Sequence, residues 1–239
     1  MESLILNECK SLYHSYNRKV GRIRPSCGCM LKAENFCFCV ISEMFNIDII
    51  IESGLCHGSS TEMFAKYFSD KKIYSIDTEI IDSAKTYLSR YDNIEILKGD
   101  GLNLVEQVIS ENKGSRIAVF IDGPKGRDQL VLAKRIINDV EFVALHDVGK
   151  VFSEMERKLR NDDYDPYKNF MEWDKSMFIT TDEWYAKEYS HMNNMQLRWL
   201  QGKRVKKWRD RKDGYDSKIH NPILEAITPI GFGLGIAIK

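Results

Sequence analysis

A chain of 239 residues with 43% hydrophobic and 29% charged side chains suits one large globular domain, since a single core grows to roughly 250 residues before chains divide. No window approaches the ~20 apolar residues of a membrane span, and the start, MESLILNECKSLYH, lacks the basic, apolar and small-residue order of a secretory leader, so a cytoplasmic protein is expected. The 35 basic and 35 acidic side chains cancel, which excludes a global field that would gather nucleic acid or anionic lipid.

The first 46 residues read as a helical lead-in, with an amphipathic helix over 34–44 able to pack beside a sheet and a turn-like segment, RIRPSCGCM, over 22–30. From about residue 48 to 148, short apolar, β-branched runs alternate with segments of helical period, the signature of βα units around a parallel sheet. The spacing predicts strands over 47–53, 72–77, 94–98, 117–122 and 142–146, with helices over 60–68, 80–91, 103–111 and 127–139. DIIIES and IAVFID are continuous apolar runs, as strands buried on both faces require. Beyond Asp147 the alternation weakens, and a Tyr-, Trp- and charge-rich stretch over 151–225 reads as a substrate-facing insertion. GFGLGIAIK closes the chain as a last strand, so 47–239 is expected to form one α/β domain.

Chemistry gathers at the strand ends. The first strand runs into ESGLCHGSST, where Glu52 leaves the strand, Gly54 and Gly58 flank a turn, and Ser59 opens a helix whose free amides suit an anionic or polar ligand. The second strand ends at Asp77, about twenty residues beyond that turn, where a carboxylate accepts from ribose hydroxyls or caps the next helix. LKGDG places Asp100 and Gly101 at the third strand end. FIDGPKG sets Asp122 and Lys125 at the fourth, and ALHDV sets His146 and Asp147 at the fifth. Ligands of open α/β sheets bind along this edge.

With these motifs the sequence resembles the class I S-adenosylmethionine-dependent methyltransferases over about residues 46–148, and in ESG, IDGPKG and ALHD it is closest to their sugar and antibiotic O-methyltransferase branch. The resemblance implies a Rossmann-like sheet of seven strands with the last antiparallel. It also implies a cofactor site of Glu52, Gly54, Gly58, Ser59, Asp77, Asp100, Gly101 and Asp122. GLCHGS at 54–59 lacks the three glycines of a nicotinamide loop, which argues against a dehydrogenase. The D-x-x-K spacing of Asp122 and Lys125 is similar to that of catechol-type methyltransferases, and this implies Mg²⁺ on Asp122 and Asp147. Val148 departs from that pattern, because those enzymes place an amide ligand after the second aspartate. The base that takes the acceptor's proton is Lys125, with a lowered pKa, or His146.

Three weaker motifs have structural explanations. Cys27, Cys29, Cys37 and Cys39 are spaced unlike a zinc knuckle, and buried thiols account for them better. KRVKKWRDRK over 203–212, with Trp208, reads as a solvated face before it reads as a nucleic-acid grip. Trp173, Trp184, Tyr185, Tyr189 and Trp199 read as core before they read as a sugar-stacking wall. The expected function is methyl transfer to a small-molecule hydroxyl, for example on a sugar. The alternatives are an RNA or protein methyltransferase using the 203–212 patch, and a noncatalytic nucleotide-binding protein of the same fold.

Overall fold

The apolar runs become the centre of a seven-stranded sheet in the computed structural model, which describes residues 1–23, 30–160, 163–193 and 232–239. The strands are β1 (Ile49–Ser53), β2 (Lys72–Asp77), β3 (Ile94–Lys98), β4 (Ile117–Ile121), β5 (Phe142–Leu145), β6 (Ser176–Ile179) and β7 (Gly235–Ile238). They lie in the order β3-β2-β1-β4-β5-β7-β6, and β7 runs antiparallel to both β5 and β6. The helices are α1 (Glu2–Val20), α2 (Lys32–Met44), α3 (Ser59–Tyr67), α4 (Asp82–Leu88), α5 (Gly101–Glu111), α6 (Arg127–Ile136), α7 (Lys150–Arg160), α8 (Pro166–Met171) and α9 (Glu183–Tyr189).

Alternation along each strand divides the core in two. Ala118 and Phe120 of β4 face one cluster, with Phe38 of α2, Phe64 of α3 and Phe142. Ile117, Val119 and Ile121 face the other, with Val105 of α5, Leu132 and Ile136 of α6, and Phe170 of α8. Ile51 of β1 pairs with both Tyr74 and Val119, so β1 is central and its five residues are all buried.

Several elements depart from the sequence expectation. Helix α2 begins at residue 32 and is buried nearly all round, because α1 covers the side turned from the sheet with Ile5, Cys9, Tyr16 and Val20. Asp100 caps α5 by accepting from the Leu102 amide, which moves that helix start to Gly101. The stretch read as an insertion contributes a strand, β6, short and at the sheet edge with Met177 exposed. Trp173, Tyr185 and Tyr189 pack into the core clusters and Trp184 packs against them. Cys37 and Cys39 are buried free thiols, both pushed well above the ordinary cysteine range by burial. Cys27, Cys29, the 203–212 patch with Trp208, and Trp199 lie outside the described residues. Among the described residues, no helix is long and apolar enough to cross a membrane.

Candidate active site

Strand order reverses between β1 and β4, and their carboxyl ends meet at Ser53. The Ser53 carbonyl accepts from the amides of Asp122 (2.7 Å) and Gly123 (2.9 Å), and its hydroxyl donates to the Gly123 carbonyl. A side chain at Gly101 would collide with that hydroxyl, so α5 also starts against this point. Gly54 follows with φ of 109°, and a Cβ there would stand 2.8 Å from the Gly123 amide nitrogen. Only glycine satisfies both the dihedral and the close approach. Gly58, with φ of 75°, ends the turn and leads into α3, whose first residue is Ser59.

Asp77 holds this turn from the side. Its carboxylate accepts from the Cys56 amide at 2.8 Å, and the amides of Gly54 and Leu55 donate to the Ile76 carbonyl. Asp77 is only half-buried and does not cap α4, whose N-cap is Ile81, so the structural alternative weighed for it in the sequence is absent. Asp100 is exposed and does serve as a cap.

Glu52 requires a correction. Its carboxylate is buried and accepts from the hydroxyls of Ser60, Thr61 and Ser75. It therefore holds the first turn of α3 against β2 from beneath the loop, and its oxygens face hydroxyls rather than a ligand. Burial pushes its pKa up to about 7, against the three hydroxyl hydrogen bonds that lower it.

Asp122, Lys125, His146 and Asp147 converge beside Gly54. Lys125 Nζ forms ion pairs with Asp122 Oδ1 and, at 2.5 Å, with Asp147 Oδ2. His146 Nδ1 lies 2.9 Å from Asp122 Oδ1 and 3.0 Å from Asp147 Oδ1. These are close ion contacts without hydrogen-bond alignment, since that nitrogen has no aligned partner. Asp147 has φ of 65°, a left-handed conformation in a non-glycine residue of the kind that concentrates at functional sites. Behind the cluster, Gln129 donates to the Ile121 (2.6 Å) and His146 (2.9 Å) carbonyls, tying the ends of β4 and β5 together.

Glu34 belongs to none of the strand-end motifs, yet it reaches the cluster. This buried carboxylate accepts from the Leu31 amide (2.8 Å), the Phe232 amide (3.0 Å) and the Gly233 amide (2.9 Å), and its Oε2 lies 3.2 Å from His146 Nε2. A glutamate inside the apolar run LKAENFCFCV was its one available signal.

These contacts set the protonation states. Burial lowers the pKa of His146, but Asp147, Asp122 and Glu34 outweigh it and hold the imidazole well above its usual range. Lys125 is likewise raised by Asp147 and Asp122 against the effect of burial, with 40% of its side chain still exposed to screening solvent. Asp147, although burial opposes it, is drawn below the carboxylate range by Lys125 and His146. The expectation of Lys125 or His146 as a ready base is therefore corrected, because Asp122 and Asp147 keep both protonated, with Glu34 adding to the effect on His146.

Donor atoms of Asp122, His146 and Asp147 lie within 4.8 Å of one another, the geometry of a divalent-cation site. The Mg²⁺ implied by the resemblance does not fit this arrangement. Lys125 already sits on both carboxylates, Val148 offers no amide ligand, and Mg²⁺ favours oxygen over the imidazole nitrogen.

The strand order, with its antiparallel β7, is that of the Rossmann-like class I methyltransferase fold. No protein-family model matches the chain. A stretch of 84 residues is 37% identical to the "Probable cobalt-precorrin-6B C(15)-methyltransferase (decarboxylating)" of Archaeoglobus fulgidus, covering 35% of this chain. That stretch is 47% of the relative, so the chain spans about half the length of the curated protein it matches. Among solved structures, the S-adenosylhomocysteine-bound methyltransferase PaMTH1 of Podospora anserina is 13% identical with a TM-score of 0.46, covering 99% of this chain and 94% of that one. Coclaurine N-methyltransferase, bound to N-methylheliamine and S-adenosylhomocysteine, is 12% identical with a TM-score of 0.47, covering 100% and 88%. At these scores neither structure bears on activity.

Proposed function

We propose that the chain is an S-adenosylmethionine-dependent methyltransferase acting on a small-molecule hydroxyl, with sugars and glycosylated metabolites the first acceptors to test. One observation carries the reading: the Gly54–Gly58 turn, the Asp77 carboxylate and the Asp122–Lys125–His146–Asp147 cluster flank the β1–β4 switch point, where open α/β sheets bind ligands. Asp77 accepts from the ribose, the Gly54–Gly58 turn and Ser59 border the methionine side, and Gly101 and Asp100 border the adenine. Asp122, at the end of β4, faces both cofactor and acceptor.

The acceptor oxygen attacks the sulfonium methyl. The O–CH₃ bond forms, the S–CH₃ bond breaks with its electron pair left on sulfur, and S-adenosylhomocysteine departs. Lys125, fixed as a cation, steadies the oxygen as its proton passes to water. The Archaeoglobus relative is named for transfer to carbon, so the acceptor atom is the finer part of this proposal.

The test supplies methyl-labelled S-adenosylmethionine with a panel of hydroxylated small molecules. Acceptor-dependent S-adenosylhomocysteine and label on oxygen support the reading. Label on carbon or nitrogen would overturn the hydroxyl, and steeply salt-dependent transfer to RNA would overturn the small molecule.

A further inference from the structure

We propose that Lys125 is the resident cation of the strand-end cluster: its ammonium fills the place between the Asp122 and Asp147 carboxylates where a divalent ion would otherwise bind. Two observations independent of the methyl donor lead here. First, Asp122 from the end of β4 and Asp147 from the end of β5 aim their carboxylates at one point, with the buried His146 Nδ1 directed at the same place and lacking an aligned partner. Two carboxylates and an imidazole nitrogen converging within 4.8 Å form a mixed oxygen and nitrogen donor set for a divalent ion such as Mn²⁺, once the ion displaces the imidazole proton.

Second, the position is taken. Lys125 lies three residues after Asp122, just before the N-cap of α6 at Gly126, and its side chain turns back over the strand ends to contact one oxygen of each aspartate. The ammonium there, with the His146 imidazolium beside it, offsets the repulsion between the two carboxylates. Because 40% of the Lys125 side chain is exposed, the position opens to solvent, and an ion would enter if the ammonium were gone. The D-x-x-K spacing thus places a permanent charge on the chain itself, with no metal requirement. This assignment stands apart from the methyltransferase reading, since nothing in it involves S-adenosylmethionine.

The test titrates the protein with Mn²⁺ alone, read by electron paramagnetic resonance of the free ion and by thermal melting. The wild-type protein is expected to leave the Mn²⁺ signal unchanged at millimolar ion. Lys125→Met is expected to melt lower, to bind Mn²⁺ at least about tenfold more tightly than wild type, and to recover its melting temperature on binding. Adding Asp147→Asn to that variant should abolish the gain. Tight Mn²⁺ binding by the wild type overturns the proposal, and this result is available even if the variant does not fold. Failure of both folded proteins to bind overturns it as well, because the cluster would then be no cation site. Lys125→Gln serves as the second variant, with the same expectation.

Discussion

Glu34 Oε2 lies 3.2 Å from His146 Nε2, joining the first turn of α2 to the end of β5 across 112 residues of sequence. The same carboxylate accepts from the Phe232 and Gly233 amides next to β7, so one side chain holds three distant parts of the chain around the cluster.

Glu34→Ala leaves two buried amides, one half-buried amide and a buried imidazolium without their acceptor. Removing one partner of such a pair costs about 3–5 kcal/mol, and urea unfolding should register a loss of that order. Glu34→Gln keeps an acceptor oxygen and should lose less. An alanine variant within about 1 kcal/mol of wild type would contradict the role given to Glu34.

Asp77→Ala removes the carboxylate assigned to the ribose. Hydrogen bonds to a charged group contribute about 1.5–3 kcal/mol, so affinity for S-adenosylmethionine should fall roughly tenfold to a hundredfold. The variant also loses the hydrogen bond from the Cys56 amide, so a modest fall in melting temperature should accompany the loss of affinity. Unaltered affinity by calorimetry would remove Asp77 from the site.

Gly54→Ala forces an L-residue to φ of 109° and presses a methyl against the Gly123 amide, parting the ends of β1 and β4. Strain of this kind costs about 1–3 kcal/mol. Both stability and cofactor affinity should drop, whereas an ordinary surface-turn glycine would affect stability alone.

Glu52 gives a pH signature. Between its ordinary pKa of 4.5 and the folded value of about 7, the unfolded chain ionises this residue while the folded chain keeps it neutral. Folding therefore binds a proton there, and this contribution makes the fold less stable as pH rises across that window, by roughly 3 kcal/mol in all. Glu52→Gln cannot ionise, so its stability relative to wild type should rise between pH 4.5 and 7 and level off above. A difference independent of pH would contradict the buried, neutral Glu52.

β1 and β4 were legible because IIIES and IAVFI are buried on both faces and leave an unbroken apolar record. β6 was not, since SMFI is four residues at an edge, half of them in contact with solvent, among helices. The acids and glycines at the strand ends were legible one by one. Their protonation states were not, because those follow from contacts between strand ends, such as Lys125 with Asp147, and from Glu34, which reaches His146 across 112 positions. Ser53 and Gln129 were missed for a related reason: their partners at the strand ends are mostly backbone atoms, which leave no pattern in side-chain chemistry.

The most direct measurement is calorimetric titration of the protein with S-adenosylmethionine and S-adenosylhomocysteine, repeated on Asp77→Ala. Saturable binding of both ligands to the wild type, weakened in the variant, is the result this account predicts. Absence of binding by either ligand would leave the sheet and its strand order in place and contradict the methyltransferase reading.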